Sequence, residues 1–172
     1  MRAYWLLAAT TFLLTACTGA GPVGNTLVPQ PKKSVNIAAY SGLWYELARY
    51  ENGFERGCEA VTARYTPKVN GEVGVLNTCR DAGTVRTIEG SARVVADSGN
   101  AKFKVSFFGP FYVGNYWILD RAPDYSWAIV GEPSGRYLWL LARSRSKAVL
   151  SAMTRRAEGL GYDTSLLKVT RH

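Results

Sequence analysis

Gly42-Leu43-Trp44-Tyr45-Glu46-Leu47-Ala48 is the stretch on which the fold turns. Its alternation of apolar and β-forming residues predicts a strand with one buried face. Strict alternation puts Trp44, Glu46 and Ala48 on one face and Leu43, Tyr45 and Leu47 on the other. Gly42 marks a place where the backbone runs close to something bulky. A Trp near the start of a strand would plug one end of a closed sheet, with a cation stacked on its ring. Arg143, near the end of the last long strand-like run, is the candidate cation. An ordinary core Trp reads the same from this stretch alone.

The strand pattern continues on the C-terminal side. Residues 59–66 alternate Val61, Ala63 and Tyr65 against Thr62 and Arg64, and a turn at 67–71 leads to a strand at 73–79. These two runs form a hairpin. Residues 84–95 carry Ile88, Gly90, Ala92 and Val94 on one face. Residues 101–107 set Phe103, Val105 and Phe107 against Lys102, Lys104 and Ser106. Lysines facing a sealed apolar cavity would be costly, so the apolar set points inward. Strands follow at 112–120, 127–130 and 136–143; in the last, Tyr137, Trp139, Leu141 and Arg143 share a face. The period becomes helical only in 146–158, where Ala148, Val149, Ala152, Met153 and Ala157 form one apolar stripe. That helix is expected outside the sheet. A short strand at 166–170 follows it. Eight strands in up-and-down order suit an all-β, closed antiparallel barrel with one C-terminal α-helix. Closure removes sheet edges and leaves room for one small ligand.

Composition narrows the function. A chain of 172 residues holds one domain plus extras. A net charge of +8 favours anionic surfaces and acidic ligands. There is no Lys/Arg-dense run with interleaved aromatics, so no nucleic-acid partner is assigned. The lone histidine is the last residue, His172, which fits no Ser-His-Asp or Cys-His site. Neither a metal-ligand cluster nor a phosphate-cradling Gly loop stands out, so no catalytic residue, metal or cofactor is assigned. Glu46 and Glu55 remain able to act as acid or base. On an inner face Glu46 would be expensive unless hydrogen-bonded.

The N-terminus reads as an export signal. Arg2 precedes an apolar run at 4–14 that is too short to span a bilayer, giving a signal peptide at 1–16. Leu14-Thr15-Ala16-Cys17 resembles the lipobox of bacterial lipoproteins. The resemblance implies cleavage before Cys17 and acylation of its thiol and new amino group, which makes a stable anchor. A plain secretory site beside a Cys is the alternative. Residue 18 is Thr and not the Asp associated with inner-membrane retention, implying export to the outer membrane. Residues 17–34, rich in Gly and Pro, read as the lipidated N-terminus and a flexible tether to a barrel domain at 35–172. Two cysteines are left. Folding the first hairpin about residues 68 and 69 sets Cys58 opposite Cys79, at a spacing a disulfide needs. The exported compartment is oxidising. Two free buried thiols are the alternative.

Gly42-x-Trp44, Leu119-Asp120-Arg121 and Arg143 resemble, in order, the three short sequence blocks of the lipocalins. Residues 54–57 and 104–112 look like the bacterial outer-membrane lipoprotein branch. The likeness runs over 40–169. One departure is Leu-Asp-Arg where the wider family has Thr-Asp-Tyr, which weakens inference from animal members. The resemblance implies a carrier of a fatty acid or lysophospholipid, lipid-anchored in the outer membrane, facing the periplasm and associated with membrane maintenance. Strand parity makes Val61, Ala63, Tyr65, Ile88, Ala92, Phe103, Val105, Phe107, Tyr116, Ile118, Tyr137, Trp139 and Leu141 the ligand-binding candidates. A polar head would stay at the mouth, near Lys or Arg. Trp44 and Arg143 would close the barrel. The rivals are a structural envelope lipoprotein whose barrel is filled by its own side chains, and an enzyme acting on a lipophilic substrate.

Overall fold

The computed structural model describes residues 21–172; the leader and Cys17 lie outside the described residues. Eight antiparallel strands follow one another round a closed sheet: β1 (Gly42–Tyr50), β2 (Glu59–Pro67), β3 (Val73–Asp81), β4 (Thr84–Val94), β5 (Lys102–Ser106), β6 (Gly114–Arg121), β7 (Trp127–Gly131) and β8 (Leu138–Ala142). β1 pairs with both β2 and β8, so no edge is left between them. A ninth strand, β9 (Leu167–Val169), pairs with the far end of β1. The short helix α1 (Ile37–Tyr40), which the strand pattern did not foretell, sits just before β1. Helix α2 (Lys147–Gly159) starts at Ser146, whose hydroxyl accepts the Val149 N–H at 3.4 Å.

Besides a small cluster of Cys58, Val61 and Cys79, alternation divides most of the buried apolar residues into two large clusters. One fills the closed end inside the barrel, with Trp44, Phe103, Ile118, Ala128, Val130 and Leu141. The other lies outside, where Met153 and Ala157 of α2 cover Ile129, Leu138 and Leu140. Buried faces on both sides explain why β7 and β8 read as continuous apolar runs.

A bulge corrects the first strand. Glu46 pairs with Leu141, but the next pair is Ala48 with Leu140, so Leu47 is an extra residue. The bulge moves Ala48 off the face of Trp44 into the outer cluster and puts Arg49 in register with Trp139. The first hairpin also differs from expectation. Thr66 pairs with Gly74 and Pro67 with Val73, so it turns about residue 70. A register shift between Glu59 and Thr62 then brings Cys58 and Cys79 to a Cα separation of 5.4 Å, and they are bridged.

Residues 21–34 are not a free tether. The chain descends the outside of the barrel from the mouth loops to the closed end. Arg136 Nη1 donates to the Gly21 carbonyl at 2.6 Å, and Gly24 N–H to the Gly135 carbonyl at 2.9 Å. Asn25, 5% exposed, donates to the Leu160 carbonyl at 3.0 Å. Lys33 pairs with Asp120 at 2.7 Å, and Arg121 donates to the Ser34 carbonyl. Gly135 has φ +66°, and a β-carbon there would run into the Asn25 backbone. Gly/Pro content suggested freedom; backbone groups bonded to the barrel remove it.

Candidate ligand-binding cavity

At the closed end Trp44 is fully buried and donates its indole N–H to the Tyr40 carbonyl at 2.8 Å. The Arg143 guanidinium lies 3.8 Å from the centre of its ring. Arg143 also donates to the carbonyls of Leu43 (2.6 Å), Ser41 (2.8 Å), Ala39 (3.0 Å) and Tyr40 (3.1 Å). One side chain thus ties α1 to the start of β1 and caps the plug. Gly42, at φ +95°, makes the turn between them beside the guanidinium.

Above this plug is a cavity of about 800 Å³, within the range of small-molecule sites. Val61, Ala63, Tyr65, Ile88, Ala92, Phe103, Val105, Phe107, Tyr116, Tyr137, Trp139 and Leu141 all line it. Ile118 does not: it points inward but lies in the cluster at the closed end, below the floor. Lys102 and Lys104 are on the outer surface, Lys102 over the Trp117 ring and Lys104 bonded to Asn115 at 2.7 Å.

Polar groups interrupt the apolar lining. The Tyr116 hydroxyl bonds to Tyr40 at 2.7 Å and Tyr65 at 2.8 Å. Three hydroxyls making two mutual bonds leave one O–H unused by the set. Burial pushes all three phenols above their ordinary range, so they stay neutral donors. Glu46, 2% exposed, accepts from Arg49 Nη1 at 2.7 Å and from the Thr170 hydroxyl. Burial, with Glu55 nearby, raises its carboxyl to about 7 despite Arg49. Glu55 accepts from the Trp139 indole at 2.9 Å and from Asn52 at 2.5 Å, which fixes the 51–58 loop over the cavity. Among the described residues, Arg86 is the one cationic side chain lining the cavity, against carboxylates of Glu46, Glu55 and Glu132.

Arg49 and Tyr40 were not found from sequence, whereas Tyr65 and Tyr116 were. Arg49 is fully buried, also donating to the carbonyls of Glu55 and Cys58. Without the bulge its parity assigns it to the outer face. Tyr40 lay in a helix the pattern did not suggest. His172 sits away from the lining, its ring edge-on to Tyr45 and Nε2 2.7 Å from the Glu46 carbonyl oxygen. Among the described residues no group of His, Cys, Asp and Glu is arranged to hold a metal ion.

Residues 35–172 match the family model of the lipocalin-like domain. The chain is a lipocalin. The lipocalin is 40% identical to outer membrane lipoprotein Blc of Escherichia coli strain K12, over 96% of this chain and 94% of that one. To the protein of the same name from Vibrio cholerae serotype O1 it is 38% identical, over 97% and 96%. These relatives set it in the bacterial branch. Insecticyanin of the tobacco hornworm Manduca sexta superposes with a TM-score of 0.66 at 20% identity, covering 90% of this chain and 87% of that one, which speaks to fold alone. Family and cavity together support a role in binding a lipid or other small molecule.

Proposed function

We propose that this lipocalin holds a single-tailed lipid, a fatty acid or lysophospholipid, in the barrel while anchored in the outer membrane through acylated Cys17, facing the periplasm, and that it serves membrane maintenance. The observation that carries the reading is the apolar cavity of about 800 Å³ closed at one end by Trp44 and Arg143. A barrel filled by its own side chains would lack that space. Burying a palmitoyl-sized tail releases roughly 10 kcal/mol gross at about 0.8 kcal/mol per CH₂. Association costs of about 4–15 kcal/mol leave micromolar to sub-micromolar binding.

The polar groups argue for tail-first entry. An anionic head deep in the barrel would lie against apolar lining and the buried Glu46 carboxyl, whereas near the mouth Arg86 offers it a cation, beside Glu55 and Glu132 of the mouth loops. The relatives' printed name, outer membrane lipoprotein, and the lipobox-like Leu14-Thr15-Ala16-Cys17 support the location. Mass spectrometry of lipid extracted from natively purified protein tests the reading. One acyl-chain lipid per protein is the expected result. Protein that is lipid-free and fails to take up added fatty acid or lysophospholipid would contradict it.

A further inference from the structure

The open end of the barrel carries an apolar rim that the cavity does not need. In the loop between β5 and β6, Phe108, Phe111 and Val113 are 80%, 71% and 81% exposed. Phe54 of the 51–58 loop is 59% exposed and Val85, beside the β3–β4 turn, 56%. Antiparallel order puts all three segments at the end away from Trp44. Phe54, Phe108 and Val113 also border the cavity, so rim and mouth are one surface. Phe111 and Val85 contribute nothing to the lining. Large apolar side chains gathered at one end of a domain mark a contact surface.

The path of the N-terminal chain identifies what touches it. Gly21 is held at this same end, by Arg136 of the β7–β8 loop and against the Glu51 carbonyl. Cys17 precedes Gly21 by four residues, a reach of at most about 14 Å when fully extended. An acylated Cys17 would hold the bilayer within that reach of Gly21, at the end of the barrel that carries the rim. Residues 21–34 then run away from it towards the closed end, bonded to the barrel as they go.

We propose that the open end docks on the phospholipid bilayer, with the Phe108–Phe111–Val113 loop entering the interface, so that lipid passes between membrane and cavity without crossing water. This rests on the reading of Cys17 as the acylated anchor. Acyl chains and apolar loop act as two signals on one surface, and two together hold where one is marginal.

Nitroxide labels test it on the mature protein reconstituted in vesicles of phosphatidylethanolamine and phosphatidylglycerol. Phe111→Cys carries a label at the rim, and Ala96→Cys carries one in the exposed turn at the closed end. The mass of the N-terminal peptide reports acylation. The label at 111 is expected to collide severalfold more with oxygen than with an aqueous nickel chelate, and the label at 96 the reverse. Acylated protein with both labels in water overturns the docking and leaves the anchor standing. Protein that is unacylated and does not stay with vesicles overturns both. A label at 111 shielded from both quenchers and broadened by a second spin makes the rim a contact between copies, and overturns the docking. As a functional arm, Phe111→Ser should slow fluorescent fatty-acid transfer from vesicles about tenfold, the worth of one buried Phe. Affinity for the same probe in solution should not change. An unchanged transfer rate would also overturn the proposal.

Discussion

At the residue scale, the barrel concentrates its polar interactions on a few side chains. Arg143 serves five partners, the Trp44 ring and four carbonyls. Truncating it removes the stacking and the guanidinium's hydrogen bonds to the carbonyls of α1 and the start of β1. Arg143→Ala should cost about 2–3 kcal/mol in denaturant unfolding, with ligand affinity little changed because the guanidinium lies below the cavity. A variant as stable as the parent would speak against this closure. Glu46 gives a pH dependence. Its folded carboxyl titrates near 7, against 4.5 for its ordinary value. Between those values the folded state holds a proton that the unfolded chain has released. Raising pH through that window therefore lowers stability, by up to about 3 kcal/mol. Glu46→Gln keeps an acceptor for Arg49 and Thr170 and should flatten the pH profile of the melting temperature between 4.5 and 7. A profile with the same slope in both proteins would assign the effect elsewhere.

At the element scale, the strands that alternate without interruption were legible and the bulged ones were not. Phe103 and Val105 of β5, and Phe107 just past its end, face the cavity or its floor because nothing breaks their period, and Lys102 and Lys104 face out. In β1 the extra Leu47 reverses parity, so the Glu46–Arg49 pair could not be read from spacing. β6 carries a similar irregularity between Ile118 and Asp120. Ile118 keeps its inward parity, but depth along a strand is set by where the plug ends, and alternation does not encode that. The β2–β3 hairpin shows the same limit. The cysteines are bridged, yet through a shifted register and not as directly opposed residues. Since they stand 21 positions apart in sequence, the bridge is worth about 3 kcal/mol in the chain-entropy model. A Cys58→Ser/Cys79→Ser protein should lose about that much in denaturant unfolding while keeping its β-rich circular dichroism. No loss of stability would mean that the hairpin is held by its ladder alone.

At the scale of the whole molecule, the two ends of the barrel have different chemistry. The closed end is sealed by Trp44, α1 and Arg143. The open end gathers the cavity mouth, the exposed apolar loop and the entry of the N-terminal chain. Helix α2 covers the outer face of β7 and β8, and β9 extends the sheet beside the far end of β1. The internal site is the centre of this account, and a paired substitution on β5 addresses it directly. Val105 borders the cavity, while its neighbour Lys104 is bonded to Asn115 on the outer surface. Val105→Trp should fill the cavity and displace a fluorescent fatty acid, and Lys104→Trp, with similar bulk one residue away, should bind as the parent does. Native circular dichroism in both separates occlusion from the destabilisation that overpacking causes. Loss of binding in Val105→Trp alone is the result expected for a ligand inside the barrel. Normal binding by Val105→Trp, with loss in Lys104→Trp, would put the ligand outside and contradict it.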